Sequence, residues 1–419
     1  MRSPASELVV HEDALRENTE RFRALTGGRL MAVLKADAFG HGDIAAAVIE
    51  SGAGSIGVTS IDEALALRQA GIDAPILSWL NTPDADVETA LHLHVDLAAP
   101  NLELLFAIAG SARATGTTAR VHLHVDVGTG RDGCPPKDWA SLCALAREQE
   151  AAGAIRVVGV MGHLSCADDP GNAQNVRERL VFENAVRTAR RRGLRPHLLH
   201  LAATAATLTG TAAGYDLHRI GAGLFGIDPS RTTDDLRPAL TLTSSVVSSR
   251  EAPAGTGVGY GHDFVTSSRT CLALLPLGYA DGLPRAASGR AEVLVHGERR
   301  PLVGRFSMDM VVVDTGDRLL RPGERVTIFG PGRDGAPTVA EWAAWARTIE
   351  HEIVTAVGAR ASRIRRTLDA SPRTPHPSQG ETACLSTPAA GSPSSEAARI
   401  TSTRSPSRPR PASHGLSVH

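Results

Sequence analysis

Lysine is almost missing from this chain. Of 419 residues, with 44 lysines and arginines together, only Lys35 and Lys137 are lysines. Aromatic residues make up 4%, and tyrosine occurs three times, at Tyr215, Tyr260 and Tyr279. No apolar run approaches membrane-spanning length, which excludes a helical membrane span. A net charge of -1 gives no basis for binding a polyanion or a charged membrane surface, so neither nucleic acid nor membrane is an expected partner. The five cysteines are scattered, odd in number and without a CxxC pair, which favours free thiols over a disulfide framework. The amino terminus, MRSPASELVV, lacks the apolar core and cleavage site of a signal peptide. A cytoplasmic enzyme or binding protein is the expectation.

The stretch MAVLKADAFGHG, residues 31–42, carries one of the two lysines. Four apolar residues run into Lys35, and glycines 40 and 42 follow, as in a buried strand that turns into a helix. A partly desolvated lysine has a lowered pKa. Its neutral amine can then attack a carbonyl and hold an aldehyde cofactor as a Schiff base. On spacing alone, a lysine snorkelling from a strand end to water fits as well.

The chain then alternates. A helical pattern over 12–26 precedes the Lys35 strand, and Asp43 is placed to cap a helix ending near Gly52. Further strands read at 55–58, 76–79, 95–98, 120–126, 156–164, 198–203 and 217–220, with helical patterns such as 61–70, 139–151 and 176–191 between them. Eight strands with long crossovers over about 200 residues suit a (β/α)8 barrel; a doubly wound open sheet is the competitor. From residue 236 strand-like runs follow one another at 240–248, 271–277, 291–296, 310–314 and 325–329, the pattern of a mostly β domain. One helix interrupts them, opened by the capping box of Thr338 and Glu341. The expected division is an α/β barrel over 1–235, a C-terminal β domain over 236–367 and a disordered Ser/Pro-rich tail over 368–419.

In a barrel, active residues sit where strands end. Lys35, Arg131, His163, the 200–204 segment and Arg219 all fall at such positions. Each alone also fits a side chain that satisfies buried carbonyls; their shared rim is the informative part. The Gly-x-Gly-x-x-Gly at 52–57 follows a helix and precedes a strand, the reverse of a dinucleotide site. The one at 221–226 follows a strand but lacks the acidic residue, and fits better as a phosphate loop. The pairs His92/His94 and His122/His124 lack a third ligand of clear spacing, so no metal is expected. Tyr260 and Tyr279 lie in tight glycine turns, GTGVGYG and LGYADG, which suits exposure to a cleft rather than a core, with anchoring of the loops as the alternative.

Over residues 7–367 the chain resembles the alanine racemases, pyridoxal 5'-phosphate (PLP) enzymes with a barrel and a C-terminal β domain. AVLKADAFGHG resembles the cofactor-lysine motif, HVDVGTGRDG the strand-five arginine motif, and HLAATAA the phosphate-side motif. HRIGAGLFG resembles the pyridine-nitrogen segment, VGYGHDF the tyrosine-base motif, and LGYADGLPR and VGRFSMDM the later active-site loops. EHEIVTAVGAR resembles the terminal phosphate-contact segment. The resemblance implies that Lys35 holds PLP and acts as one base. Tyr260, from the partner subunit of a homodimer with shared sites, is the other. It further implies that Arg219 faces the pyridine nitrogen and is joined to Tyr260 through His163 and His200. Arg131 orients the PLP phenolate and the substrate carboxylate, with Met308 and Tyr279 at the substrate. Thr204, Gly221 and Ala222 hold the phosphate, and His351 stands near it.

Four positions depart from the family pattern. Phe39 and His351 stand where tyrosines usually contact phosphate, Ala203 replaces an asparagine, and His124 replaces a lysine that supports the arginine. A lost hydrogen bond to a charged group is worth roughly 1.5–3 kcal/mol. The leading expectation is racemisation of alanine by Lys35 and Tyr260. The alternatives are another small amino acid such as serine, or a PLP-binding protein that has lost catalysis.

Overall fold

The computed structural model describes residues 5–358 and 360–366; the expected tail lies outside the described residues. The first strand, β1 (Ser6–His11), leads into a helix, Glu12–Leu25, which buries Leu15 and Phe22. Eight short parallel strands follow: β2 (Leu30–Val33), β3 (Ser55–Val58), β4 (Ile76–Ser78), β5 (Val95–Ala99), β6 (Ala119–His124), β7 (Ile155–Met161), β8 (Leu198–His200) and β9 (His218–Ile220). Their order is β8-β7-β6-β5-β4-β3-β2-β9. The two ends meet: Ala203 bridges to Arg219, whose N–H donates to the Ala202 carbonyl at 3.0 Å. A sheet that returns on itself is a barrel, so the open-sheet alternative falls. Residues 30–33 and 55–58 are buried throughout, as continuous apolar strands covered on both faces must be.

Helix boundaries follow local chemistry. Trp139–Ala151 matches the sequence pattern, and Ile61–Gln69 opens with a capping box of Ser60 and Glu63. The Asp43 cap does not form. The helix there, Ala45–Glu50, has Ile44 at its start, and Asp43 instead lies 3.3 Å from Arg365.

A nine-stranded sheet makes up most of the rest. Its strands, in spatial order, are Ser248–Ala252, Thr270–Leu275, Val311–Gly316, Glu298–Val303, Glu292–Val295, Arg325–Phe329, Leu240–Ser245, β1 and Ser362–Arg366. The strand β1, counted with the barrel from its position in the chain, therefore belongs to this sheet. It pairs antiparallel with Leu240–Ser245 and parallel with Ser362–Arg366. The Thr338–Glu341 capping box is present and opens helix Val339–Ala346; the buried Trp342 indole donates to the Ile328 carbonyl at 2.8 Å. The next helix, Glu350–Ala356, packs on the turn that follows Lys35: a side chain at Gly40 would meet the Val354 carbonyl at 2.3 Å.

Candidate active site

The turn after Lys35 is left-handed. Ala36, Asp37, Ala38 and Phe39 have φ between +50° and +55° with ψ between +39° and +54°. Each non-glycine residue held this way costs about 1–2 kcal/mol, so surrounding groups must impose the conformation. Three do so. Glu63 accepts from the Ala36 N–H at 2.6 Å while also taking Thr59 N–H and Oγ at 2.8 Å each. Arg363, on the last strand, pairs with Asp37 at 2.5 Å. The His41 ring donates from Nδ1 to the carbonyls of Ala38 and Phe39, at 3.0 and 2.9 Å. The turn aims Lys35 into a cleft of about 620 Å³ at the carboxyl ends of the barrel strands.

Eight residues expected at the site line this cleft together: Lys35, Arg131, His163, Thr204, Arg219, Gly221, Ala222 and His351. So do the three departures Phe39, His124 and Ala203. Burial, Arg131 and Arg219 lower the Lys35 pKa, with Glu63 opposing them. Arg219 is fully enclosed. Burial and Arg131 bring it to about 10, still charged at neutral pH. Its Nη1 donates to His200 Nδ1 at 2.9 Å and to the His200 carbonyl at 2.8 Å; Nη2 donates to the Gly162 carbonyl at 2.5 Å and lies 3.5 Å from His163 Nδ1. Burial, followed by the charges of Arg219, Arg131 and Lys35, pushes His163 to about 3, so its ring is neutral. His351 is lowered by burial and by Lys35.

At the other end of the cleft, Thr204 opens the short helix Thr204–Leu208 and Ala222 opens the 3-10 turn Ala222–Phe225. The Gly223 N–H donates to Thr204 Oγ at 3.2 Å. Neither glycine of this segment has room for a side chain: a Cβ at Gly221 would meet the Phe39 ring at 2.8 Å, and one at Gly223 the Phe22 ring at 2.3 Å. Phe39 offers no polar atom. Its buried ring packs on Phe225 at 4.8 Å and His351 at 5.8 Å. His124 Nδ1 lies 3.4 Å from Asp132 Oδ2, next to Arg131.

Tyr260, Tyr279 and Met308 are elsewhere. They are 70%, 42% and 54% exposed, and none lines the cleft. Among the described residues the hydrogen bonds of Arg219 run to His200 and towards His163, and none of them links to Tyr260 of the same molecule. The three residues nevertheless share one surface. Tyr279 N–H donates to the Ser307 carbonyl at 3.1 Å and Ala280 N–H to the Met308 carbonyl at 3.0 Å, which ties two of the loops together. Beside them, Arg305 pairs with Asp263 and backs Gly261, next to Tyr260.

Sequence reasoning missed Glu63 and the placement of His122. Glu63 had a visible signal as the acidic member of a capping box, but the box speaks of a helix start and not of a lysine 28 residues earlier. The His-x-His spacing of His122 gives no sign of its buried contact with His200, 2.8 Å away on a strand two places along the barrel.

The alanine racemase N-terminal domain model matches residues 10–229, and the alanine racemase C-terminal domain model matches residues 239–365. An alanine racemase from Frankia casuarinae is 44% identical over 363 residues, 85% of this chain and 94% of that protein. Among solved structures, alanine racemase from D-cycloserine-producing Streptomyces lavendulae superposes with a TM-score of 0.85 at 40% identity, covering 87% of this chain and 98% of that one. Alanine racemase from Bartonella henselae, described with covalently bound pyridoxal phosphate, superposes with a TM-score of 0.78 at 25% identity over 87% of this chain and all of that one. These relatives do not favour another amino acid as substrate or a protein without catalysis. With both halves matched in order and full-length relatives above 40% identity, the chain belongs to the alanine racemase family, isomerases that interconvert L- and D-alanine.

Proposed function

We propose that the cleft holds pyridoxal 5'-phosphate, and that alanine is racemised there by Lys35 and Tyr260 acting from opposite faces. The observation that carries the proposal is the convergence of a depressed-pKa lysine, two arginines and a polar far end on one cleft. The donor set suits the group. Lys35 offers an amine, Thr204 with the backbone at Gly221 and Ala222 offers donors for a phosphate, and Arg131 reaches anionic oxygens. When bound, the cofactor would supply a carbonyl that the substrate amine engages in place of Lys35 and an electron-poor ring that acidifies the substrate Cα–H, leaving Lys35 Nζ free as a base.

The side chains then divide the work. Lys35 Nζ, whose pKa is lowered by burial and by the two arginines, takes or returns the Cα proton on one face. Tyr260 Oη does the same on the other. Arg131 turns the substrate carboxylate, and Arg219 presents a fixed positive charge at the ring nitrogen, which opposes its protonation and limits side reactions. His351, neutral beside Lys35, supplies a donor where Phe39 supplies none.

Tyr260 reaches this site from a second copy of the chain in a homodimer. In support, Tyr260, Tyr279 and Met308 are exposed side by side and away from their own molecule's cleft. The test is solvent deuterium incorporation at Cα with PLP-loaded protein and L- or D-alanine. Exchange with inversion, lost in Lys35→Ala and reduced by orders of magnitude in Tyr260→Phe, is expected. Undiminished inversion in either variant would overturn the two-base assignment.

A further inference from the structure

The polar chain behind Arg219 runs in one direction only. A guanidinium can donate but not accept, so His200 Nδ1, 2.9 Å from Arg219 Nη1, must accept. Burial and the Arg219 charge keep His200 neutral, which leaves its single proton on Nε2. That nitrogen lies 2.8 Å from His122 Nδ1, which must accept in turn. The His122 proton is therefore on Nε2, 3.4 Å from Asp96 Oδ2. Asp96 is gripped by Arg120, Nε to Oδ1 at 2.7 Å and Nη2 to Oδ2 at 3.1 Å. Each tautomer follows from the one before it.

This chain passes through β9, β8, β6 and β5, across an interior that branched apolar side chains usually fill. His122 and His200 are fully enclosed. Room for His122 is made on β7: a Cβ at Gly159 would fall 2.2 Å from His122 Nδ1. Among the described residues no carboxylate stands within ion-pair distance of Arg219, whose remaining acceptors are backbone carbonyls and His163. A buried cation without a counter-charge is costly. The carboxylate at the far end of its own hydrogen-bonded chain is Asp96.

We infer that Asp96 is the remote counter-charge of Arg219, and that Asp96 and His122 are positioning residues that act through His200 to hold the guanidinium aimed into the cleft. The negative charge at Asp96 polarises the two imidazoles in series and makes His200 Nδ1 a stronger acceptor. The catalytic consequence rests on the placement of Arg219 proposed above; the chain of tautomers does not.

The experiment is NMR of the full chain, 15N-labelled at histidine, without added cofactor. Nitrogen shifts report the tautomers, and the Nε2–H proton shifts report hydrogen-bond strength. Both rings are expected neutral with the proton on Nε2. Asp96→Asn, which keeps the shape and an acceptor but removes the charge, moves the Nε2–H protons of both His122 and His200 upfield. Arg120→Met, at a half-exposed site, stops sharing the carboxylate and moves both downfield. A packing defect would move the two variants the same way. An Nδ1–H tautomer at either ring, or a response confined to His122, overturns the inference. With PLP and alanine, Asp96→Asn loses about tenfold in kcat with KM little changed, the scale of one weakened charge-assisted hydrogen bond, while Arg120→Met does not. Unchanged kcat in Asp96→Asn overturns the positioning role. A wild-type protein that shows the NMR pattern but no turnover would instead count against the proposed function.

Discussion

Lys35 stands between two arginines that repel its proton and one carboxylate, Glu63, that favours it. Because the chain has only one other lysine, amine chemistry reads this balance without interference. Trace acylation of the protein before PLP is added, followed by mass spectrometry across pH, is expected to show Lys35 reacting below the ordinary lysine range. Glu63→Gln should move the profile lower and Arg131→Ala higher; a profile indifferent to both would mean that neither charge sets it. The sign for stability follows. A lysine whose folded pKa lies below 10.5 favours the unfolded state while protonated, so its penalty is full below the folded pKa and is relieved as pH rises toward 10.5. Scarcity made Lys35 legible in the sequence. Glu63 was not, because a residue that holds a helix start and a distant strand end at once shows only its local task.

The left-handed turn of residues 36–39 contains no glycine, and alanine there gives no hint of positive φ. Local propensity cannot reveal a conformation imposed largely by Glu63 and Arg363 from two other parts of the chain, with the neighbouring His41 beside them. The strand β1 escaped for the same reason, since its partners lie more than 200 residues away. The Trp139–Ala151 helix and the Thr338 capping box, whose signals are contained in one segment, were read correctly. A glycine pair tests the turn. Ala144→Gly, on the exposed side of a right-handed helix, should cost about 1 kcal/mol. Ala36→Gly should be neutral or stabilising, because relief of about 1–2 kcal/mol of strain offsets the entropy that glycine adds to the unfolded chain. Thermal melts compare the two; equal losses would rule out the left-handed turn.

Across the molecule, His11, His41, His163, His200, His218 and His351 all have lowered pKa values, with burial the largest cause at each. As pH falls below 6.5 the unfolded chain takes up protons that the folded chain refuses. Stability is complete above that value and declines beneath it, by up to about 1.4 kcal/mol per pH unit for each histidine. Urea midpoints should therefore hold above pH 6.5 and drop steeply as the pH falls below it; a flat profile would contradict the six shifts. The proposed sharing of the site between subunits has its own signature. When Lys35→Ala and Tyr260→Phe proteins are unfolded and refolded together, each mixed dimer regains one site with both wild-type residues. About a quarter of wild-type activity per subunit should return if subunits pair at random, and none if each molecule uses its own Tyr260. Finally, the Lys35 turn leans on Arg363 and on helix Glu350–Ala356, both made long after β9 completes the barrel strands. At ribosomal speeds of about 5–20 residues per second, the interval from Ile220 to Arg366 is roughly 7–30 s. For that long each newborn chain carries a ring of strands whose lysine turn is held by Glu63 and His41 alone, and the turn is fully braced only once the strand Ser362–Arg366 has been made.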